Sequence, residues 1–438
     1  MYQKLLEYIL LPIGDFFNNT SYIKELKYWR KVDGYSEDKL EKLQKENLKK
    51  ILIHAVNNIP NYKDVKLKGT NPYLWINDFP VLTKNNLRYD SEKLLIDDNS
   101  INLIKYSSSG SSGIQSAVFM SKKEQSIIRG ILTHWWEWSS YRVGKPIVQT
   151  GMTLQRGLVK TLKDYFFRTH YINAFSLSET QLKSLAKKLD GTKKYYLSGY
   201  ASSLNVIAEY ILKSNYKVQL KSVISLGDKL FPHYRKNVEK AFNCKVYDTY
   251  GSNEGLMIAA QKDLDYLYIL SPHVFIEIVD ENNSPVKDGE MGSILVTRLD
   301  GFSMPLIRYK LGDLGVLLPK EKYPKKREFQ YPLLQQIVGR ETDVVFLPSG
   351  KKLIVHSFTG IFEFIPEIKQ FKVIQEEIDK ITIEYIKDSG FKTEILERIT
   401  SELQKHIQDN SFKIIYKEVD FIAPTKSGKP QIVESKLK

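Results

Sequence analysis

Apolar residues recur at helical spacing in one long segment near the start of the chain. The residues that share this face are Leu40, Leu43, Leu48, Ile51, Leu52, Ala55, Val56 and Ile59. Ser36 occupies an N-cap position, acidic residues follow it, and Pro60 cannot continue a helix. The pattern predicts a helix over residues 40–59 that packs on the core and carries no chemistry.

Strand-like and helix-like segments alternate through the middle of the chain. Strands are predicted over residues 194–198, 218–226 and 245–249, and helices over 202–213 and 232–242. Such alternation is typical of a parallel, doubly wound sheet. Ligands of these sheets bind beyond the carboxyl ends of the strands, so we expect site-forming loops at residues 199–202, 227–229 and 250–254.

The pattern changes in the last third of the chain. Residues 275–280 and 293–299 are strand-like and separated by a turn-rich segment, which predicts a smaller and more antiparallel region. Farther on, strands over residues 381–386 and 412–419 flank a helix over 393–408, enough for a small α+β domain. We therefore expect an α/β protein with a large domain of doubly wound mixed sheets and a β-rich subdomain, followed by that small domain.

Charge and cysteine content narrow the class of protein. The net charge is +14, from 65 basic and 51 acidic residues, which is compatible with nucleic acid, membrane or anionic substrates as partners. The lysines are spread along the whole chain without an arginine-rich block, so nucleic-acid binding is the disfavoured alternative. The single cysteine, Cys244, excludes an internal disulfide and favours a reducing, cytoplasmic location.

The first 17 residues are apolar but interrupted. Lys4, Glu7 and Asp15 lie among them, and the uncharged run over residues 8–14 is too short to span a membrane. We expect a helix packed on the body of the protein. The alternative is a peripheral membrane contact through the apolar and aromatic face.

A serine- and glycine-rich segment is the first candidate for chemistry. Its candidate phosphate contacts are Ser108, Ser109, Gly110, Ser111, Ser112 and Gly113. Backbone amides and hydroxyls in such a loop can wrap phosphate oxygens, although a surface linker has the same composition. Because the apolar residues 117–120 follow it, we expect the loop to be held between ordered elements.

Three further segments carry candidate ligand-binding residues. Residues 250–254 (YGSNE) follow a predicted strand, where an aromatic ring could stack on a base and a carboxylate could reach Mg²⁺. Residues 308–313 (RYKLGD) and 339–343 (GRETD) offer an aspartate for ribose hydroxyls and an arginine beside it. Residues 424–429 (PTKSGK) offer a lysine as a point charge. An ordinary turn or a basic tail would explain each segment taken alone.

The order of these segments along the chain, their spacing and their flanking residues together resemble the adenylate-forming superfamily of acyl-CoA synthetases, adenylation domains and luciferases. Within it, the chain looks like the phenylacetate–CoA ligase-like branch, including its members from capsular polysaccharide gene clusters. The resemblance spans nearly the whole chain. It includes residues 55–62 (AVNNIPNY) and 78–87 (DFPVLTKNNL), which match the entry segments of that branch.

The resemblance implies a role for each candidate residue. The phosphate loop falls on residues 108–113, the adenine-side segment on Gly227, Asp228 and Lys229, and the next motif on Tyr250, Gly251 and Glu254. Glu254 is the expected Mg²⁺ contact and a catalytic residue, Asp313 the ribose ligand and Arg340 its neighbour. Lys429 is the expected catalytic lysine. The implied domains are residues 1–338, a hinge at 339–343, and a small mobile domain at 344–438.

Three departures from the branch pattern stand out. The phosphate loop lacks the usual proline and lysine, since Ile114, Gln115 and Ser116 follow Gly113. Asp228 replaces the usual glutamate but keeps a carboxylate. No cysteine lies in residues 261–273, where some branch members carry a metal cluster, so we expect no structural zinc.

The implied activity is ATP- and Mg²⁺-dependent activation of a carboxylic acid as its acyl-AMP, then acyl transfer to coenzyme A. A first alternative acceptor is an amine or hydroxyl of a sugar in surface polysaccharide synthesis. A second alternative is a non-catalytic binding subunit. The expected assembly is a monomer or homodimer. The aromatic residues at 135–138 and Tyr141 are candidates for the acid pocket, but a core role is favoured for them.

Overall fold

The computed structural model describes most of the chain. The described residues are 2–96, 102–107, 117–151, 157–173, 177–230, 232–280, 282–338, 344–362, 364–388, 390–409, 411–422 and 432–437. The predicted phosphate loop, the predicted hinge and the segment that contains Lys429 lie outside them.

Helices occupy much of the first half of the chain. They are α1 (Tyr2–Leu5), a π-helical turn (Leu6–Leu10), α2 (Leu11–Asn18), α3 (Tyr22–Val32), α4 (Glu37–Asn58), α5 (Pro72–Trp75), α6 (Lys84–Tyr89), α7 (Lys122–Trp138), α8 (Gly157–Phe167), α9 (Glu179–Leu189), α10 (Ala201–Lys213), α11 (Pro232–Phe242), α12 (Val355–Phe362) and α13 (Glu394–Ile407). Short 3₁₀ turns lie at Pro60–Tyr62, Ile76–Asp78, Ser91–Leu94 and Lys320–Lys322.

Strands dominate the second half. They are β1 (Ile104–Ser107), β2 (Ala117–Met120), β3 (Ile147–Gly151), β4 (Thr169–Asn173), β5 (Tyr196–Tyr200), β6 (Val223–Leu226), β7 (Val246–Ser252), β8 (Leu256–Ala260), β9 (Leu267–Ile269), β10 (Val274–Val279), β11 (Met291–Arg298), β12 (Tyr309–Leu317), β13 (Leu333–Val338), β14 (Val344–Phe346), β15 (Lys352–Ile354), β16 (Ile368–Glu377), β17 (Lys380–Lys387), β18 (Lys413–Glu418) and β19 (Val433–Ser435).

The chain divides into two compact units. The first comprises Met1–Ser107, Ser116–Val143 and Tyr247–Gly339. Its strands follow the order β10-β11-β12-β13-β9-β8-β7, and every neighbouring pair is antiparallel. The buried face of α4 joins the same hydrophobic core as β8, β10 and β11. This unit therefore contains the antiparallel strands β7 to β13.

The second unit contains two separate hydrophobic cores. Between Gly144 and Val246, the parallel strands β6-β5-β3-β4 bury one core against α9, α10 and α11. After Arg340, the order β18-β17-β16-β19 forms a four-stranded sheet whose core includes α12 and α13. The α/β class, the parallel doubly wound portion and the α+β C-terminal portion are confirmed.

Local boundaries depart from the sequence-based prediction in two places. The predicted strand over residues 218–226 is regular only from Val223, because Val218, Leu220 and Lys221 bond to three different segments. The antiparallel region begins earlier than predicted, since β7 continues through Ser252 and pairs with β8. Both differences arise from pairing with distant segments.

The predicted long helix is confirmed as α4, but its start differs in one detail. Ser36 holds the N-cap position with an extended backbone, yet its side chain makes no capping hydrogen bond. Glu37 and Asp38 supply the favourable negative charge in the first turn.

Among the helices of the described ranges, none is long and apolar enough to cross a membrane.

Candidate functional site

The β7–β8 hairpin carries the YGSNE motif. Sequence analysis placed this motif in a loop after a strand, but Tyr250 and Gly251 lie within β7 and pair with β8. Of the three motif residues that are candidates, only Glu254 lies in the turn between the strands, and its side chain is 4% exposed. A side chain at Gly251 would place its Cβ 2.6 Å from the carbonyl oxygen of Leu256, so the hairpin requires glycine there.

Strand β12 carries the RYKLGD motif and meets the hairpin through two hydrogen bonds. The Tyr250 hydroxyl donates to Oδ2 of Asp313 at 3.0 Å. The Tyr309 hydroxyl donates to Oε1 of Glu254 at 3.2 Å. The structure thus brings together three predicted site residues, Tyr250, Glu254 and Asp313, and adds a fourth, Tyr309.

Tyr309 was not among the site residues predicted from the sequence. It lies on the same strand as Asp313, but the register of β12 against β11 shifts between Lys310 and Leu314, so simple alternation along the strand could not relate the two side chains. Tyr309 itself is completely buried. Its partner, Glu254, could not be inferred from the local pattern because the two are 55 positions apart.

Both tyrosines act as donors over the physiological pH range. Burial, together with the charge of Asp313, raises the pKa of Tyr250 well above its ordinary value. Burial and the charge of Glu254 raise the pKa of Tyr309 in the same way. Each phenol therefore keeps its proton and holds a carboxylate in a fixed orientation.

The start of β12 is anchored by Arg308. This residue is 6% exposed, adopts a positive φ of 49°, and pairs with Glu277 at 3.0 Å. Burial raises the pKa of Glu277, against the opposing effect of the Arg308 charge. A left-handed backbone at an arginine persists only when its surroundings hold it, here through the guanidinium contacts.

The two entry segments that marked the resemblance pack against the same strand. Leu82 pairs with Tyr309 in an isolated parallel bridge, with backbone hydrogen bonds of 3.2 Å from Leu82 to Arg308 and 2.8 Å from Lys310 to Leu82. The buried Tyr62 hydroxyl donates to the carbonyl oxygen of Pro305 at 3.1 Å. These segments therefore hold in place the strand that presents Asp313.

The segment at residues 227–229 lies in the second unit, and two of its residues have structural roles. Asp228 accepts hydrogen bonds from the Ala201 amide, from the Ser202 amide at 3.1 Å and from the Ser202 hydroxyl at 2.5 Å. Its carboxylate thereby caps the N-terminus of α10. Gly227 has a φ of +81°, and a Cβ there would lie 2.4 Å from the Tyr200 ring, so glycine is required.

The remaining predicted site residues lie outside the described residues: Ser108, Ser109, Gly110, Ser111, Ser112, Gly113, Arg340 and Lys429. The elements that flank the phosphate loop are described. Strands β1 and β2 pair antiparallel, with Ser107 opposite Ala117. The expectation that ordered elements flank the loop is therefore met.

The helix that follows β2 is firmly attached within the first unit. Ser121 and Glu124 form a capping box at the start of α7. Glu124, which is buried, also accepts hydrogen bonds from the Ser303 amide at 2.8 Å and the Ser303 hydroxyl at 2.6 Å. The carboxylate thus ties the strand and helix after the predicted phosphate loop to a distant turn.

The tryptophan-rich segment of α7 belongs to the core. Trp135, Trp138 and Tyr141 are each at most 3% exposed, and the Trp138 indole donates to Asp33 at 3.0 Å. The core interpretation of this segment therefore fits the structure better than a role in an acid pocket.

One carboxylate fits the implied magnesium ion. Mg²⁺ in nucleotide sites is held by one or two carboxylates together with substrate phosphates, so a protein cluster of ligands is not required. Glu254, held by Tyr309, meets that description. No group of three or more His, Cys, Asp or Glu side chains suited to a metal occurs within the described ranges.

Comparisons with known proteins point in one direction. The sequence profile of the CapK C-terminal domain matches residues 345–436. Protein CapK of Staphylococcus aureus is 26% identical over 378 residues, covering 83% of this chain and 81% of CapK. The phenylacetate–coenzyme A ligase of Escherichia coli K12 is 30% identical over 118 residues, covering 26% of each chain.

A solved structure supports the fold over almost the whole chain. It is 2-hydroxyisobutyryl-CoA ligase in complex with 2-HIB-AMP and CoA, with a TM-score of 0.60 and 19% identity. The match covers 93% of this chain and 92% of the ligase. At this identity the likeness establishes a shared fold.

The Tyr309–Glu254 hydrogen bond makes a testable contribution to stability. Tyr309→Phe leaves a buried carboxylate without this donor, so we expect the free energy of unfolding to fall by about 1–3 kcal/mol. A double-mutant cycle with Glu254→Ala, measured by urea unfolding, should give a coupling energy of about 1 kcal/mol or more. Additive effects of the two substitutions would contradict the contact.

Asp228 should make stability depend on pH. Burial raises its pKa to about 6, outweighing the hydrogen bonds from Ser202 and Ala201 that lower it. In the unfolded chain the carboxyl titrates near pH ~4. Between these values the folded state alone holds the proton, so this group's contribution to stability is present at low pH and is lost as pH rises towards 6.

Unfolding of wild type and Asp228→Asn at several pH values tests this dependence. The stability advantage of the wild type should shrink as pH rises through the window from about 4 to about 6. Asp409→Asn is a control for which the change in stability with pH should have the opposite sign, because the Ser411 hydrogen bond lowers the pKa of the Asp409 carboxyl. An advantage that grows with pH at position 228 would contradict the assignment.

Proposed function

Because the chain belongs to the phenylacetate–CoA ligase-like branch of the adenylate-forming superfamily, we propose that it activates a carboxylic acid with ATP. A carboxylate oxygen of the acid attacks the α-phosphorus, and the bond from that phosphorus to the bridging oxygen of pyrophosphate breaks. The products are acyl-AMP and pyrophosphate. In the second step the thiol of coenzyme A attacks the acyl carbon, loses its proton and displaces AMP.

The observation that carries this proposal is the pairing of two tyrosines with two carboxylates. Tyr250 orients Asp313, and Tyr309 orients Glu254. In the proposed site, Asp313 accepts hydrogen bonds from the ribose hydroxyls and Tyr250 lies beside the base. Glu254 would hold Mg²⁺, and the bound ion would supply positive charge to the phosphates.

We assign the rest of the site to the residues that the resemblance implies. Residues 108–113 bind the phosphates, and Gly227 with Asp228 forms the adenine-side segment. The helix cap made by Asp228 supports a positioning role for its carboxylate. Arg340 adds a hydrogen bond to the nucleotide, and Lys429 stabilises negative charge at the α-phosphate.

The proposed domain arrangement gives the small domain its role. Residues 1–338 bind the substrates, residues 339–343 form the hinge, and residues 344–438 deliver Lys429. Rotation about the hinge after adenylation withdraws the lysine and admits the acceptor. The match of residues 345–436 to the CapK C-terminal domain supports a distinct unit here.

The acceptor has one alternative. CapK matches 83% of the chain, and the phenylacetate–coenzyme A ligase of Aromatoleum evansii matches 72% of it, so coverage does not choose between the two kinds of relative. An amine or hydroxyl of a sugar in surface polysaccharide synthesis is the second candidate acceptor, as the resemblance in the sequence implies. Because both reactions consume ATP, we infer a cytoplasmic location for the enzyme.

ATP–pyrophosphate exchange against a panel of aryl, fatty, hydroxy and amino acids tests the first step without any acceptor. We expect exchange that depends on a particular class of acid. Absence of exchange with every acid, by a protein that is folded, would favour a non-catalytic binding subunit. Adding coenzyme A or a candidate sugar to the active combination then distinguishes the two acceptors.

Lys429→Ala should lower the exchange rate about 10²–10³-fold, by analogy with the loss of one preorganised charge contact, while ATP binding is largely kept. Lys426→Ala is the matched control, since it removes a lysine from the same short segment. Exchange by Lys429→Ala at the wild-type rate would refute the role of this lysine.

A further inference from the structure

The first helical run of the chain exposes an apolar face that the first unit leaves uncovered. Residues 2–18 are helical throughout, as α1, the π-helical turn and α2. The exposed large side chains, which we term the apolar face, are Leu5, Tyr8, Ile9, Leu10, Ile13, Phe16 and Phe17. Phe16 and Phe17 are 82% and 80% exposed, whereas Leu6 alone in this run is buried. Contiguous apolar surface of this kind marks an interaction site.

The acidic residues of the same run are held by the body of the protein. Glu7 forms an ion pair with Arg30, which also bonds to Glu137. Asp15 accepts hydrogen bonds from the Thr20 hydroxyl at 2.6 Å and from the Ile23 amide at 2.8 Å. Neither carboxylate is therefore left to repel an anionic surface that meets the apolar face.

Lysines border the apolar face. Exposed Lys24, Lys27 and Lys31 follow one stripe of α3, and the Lys27 ammonium lies 5.3 Å from the centre of the Tyr8 ring. At the far end of α2, the Lys122 ammonium donates to the carbonyl oxygen of Asn18 at 3.0 Å. Lys4 is exposed within the run itself. The combination is an apolar, aromatic surface with a basic border.

We propose that this face docks on an anionic lipid bilayer surface. An interfacial helix buries apolar and aromatic side chains at the level of the headgroups, while lysines beside it bind anionic lipids. The long side chains of Lys24, Lys27 and Lys31 can reach headgroups while the rings of Phe16 and Phe17 enter the acyl boundary. The face lies on the membrane and does not span it.

The distribution of charge favours lipid over a second copy of this chain. The chain carries a net charge of +14, and the border of the face is basic, so two copies meeting face to face would bring like charges together. An anionic bilayer is complementary to the same arrangement. This docking is independent of the proposed catalytic chemistry.

Vesicle flotation of the full chain tests the proposal. The vesicles are phosphatidylcholine with and without phosphatidylglycerol. We expect wild type to float with the anionic vesicles, and added salt to weaken the binding. The double variant Phe16→Ser and Phe17→Ser should lower partitioning roughly tenfold or more, because two exposed rings no longer enter the bilayer.

A matched variant distinguishes binding through the apolar face from nonspecific adsorption of other exposed apolar side chains. Leu74 and Phe421 are 64% and 70% exposed elsewhere, so the double variant Leu74→Ser and Phe421→Ser should float like wild type. Replacing Lys24, Lys27 and Lys31 with Gln should reduce the preference for anionic vesicles. Circular dichroism and thermal unfolding establish that each variant is folded.

Three outcomes would overturn the proposal. The first is failure of wild type to float with anionic vesicles. The second is flotation that the Phe16→Ser and Phe17→Ser substitutions leave unchanged. The third is a concentration-dependent dimer that these substitutions abolish, without vesicle binding, which would assign the face to a second copy of the chain.

Discussion

Two buried tyrosine–carboxylate hydrogen bonds hold the candidate site together. They join the β7–β8 hairpin to β12. The two residues of each hydrogen bond are 63 and 55 positions apart in sequence. A hydrogen bond to a charged group contributes about 1.5–3 kcal/mol, and a buried carboxylate that loses its donor carries a further cost. The orientation of Asp313 and Glu254 therefore depends on Tyr250 and Tyr309, and the surrounding elements serve to place those two rings.

The entry segments of the chain pack against β12 and its flanking residues. Tyr62 bonds to Pro305, and Leu82 bridges the strand at Tyr309. Arg308 adopts its positive φ while paired with buried Glu277. These contacts stabilise the strand from several sides, so that the nucleotide contacts proposed for Asp313 start from a preorganised position.

Local pattern was sufficient for elements whose partners are close in sequence. The helix that begins at Pro232 and the strand Tyr196–Tyr200 lie within a few residues of their predicted places. The local sequence pattern was not sufficient to predict elements that pair with distant segments of the chain. The continuation of β7 through Ser252 depends on β8, and the helix cap at Ser202 depends on Asp228, 26 positions away. Candidate residues could be named from motifs, but their partners required the folded chain.

A nucleotide is proposed to bind the framework of Tyr250, Glu254, Tyr309 and Asp313, and equilibrium binding of ATP in the presence of Mg²⁺ is the most direct test of that proposal. We predict that wild type binds ATP and that Asp313→Ala weakens the affinity roughly tenfold or more, since a hydrogen bond to a charged group is lost. Asp409→Ala, which removes a carboxylate elsewhere in the chain, should bind ATP as wild type does. Failure of wild type to bind ATP, or equal affinity of Asp313→Ala and wild type, would contradict the account.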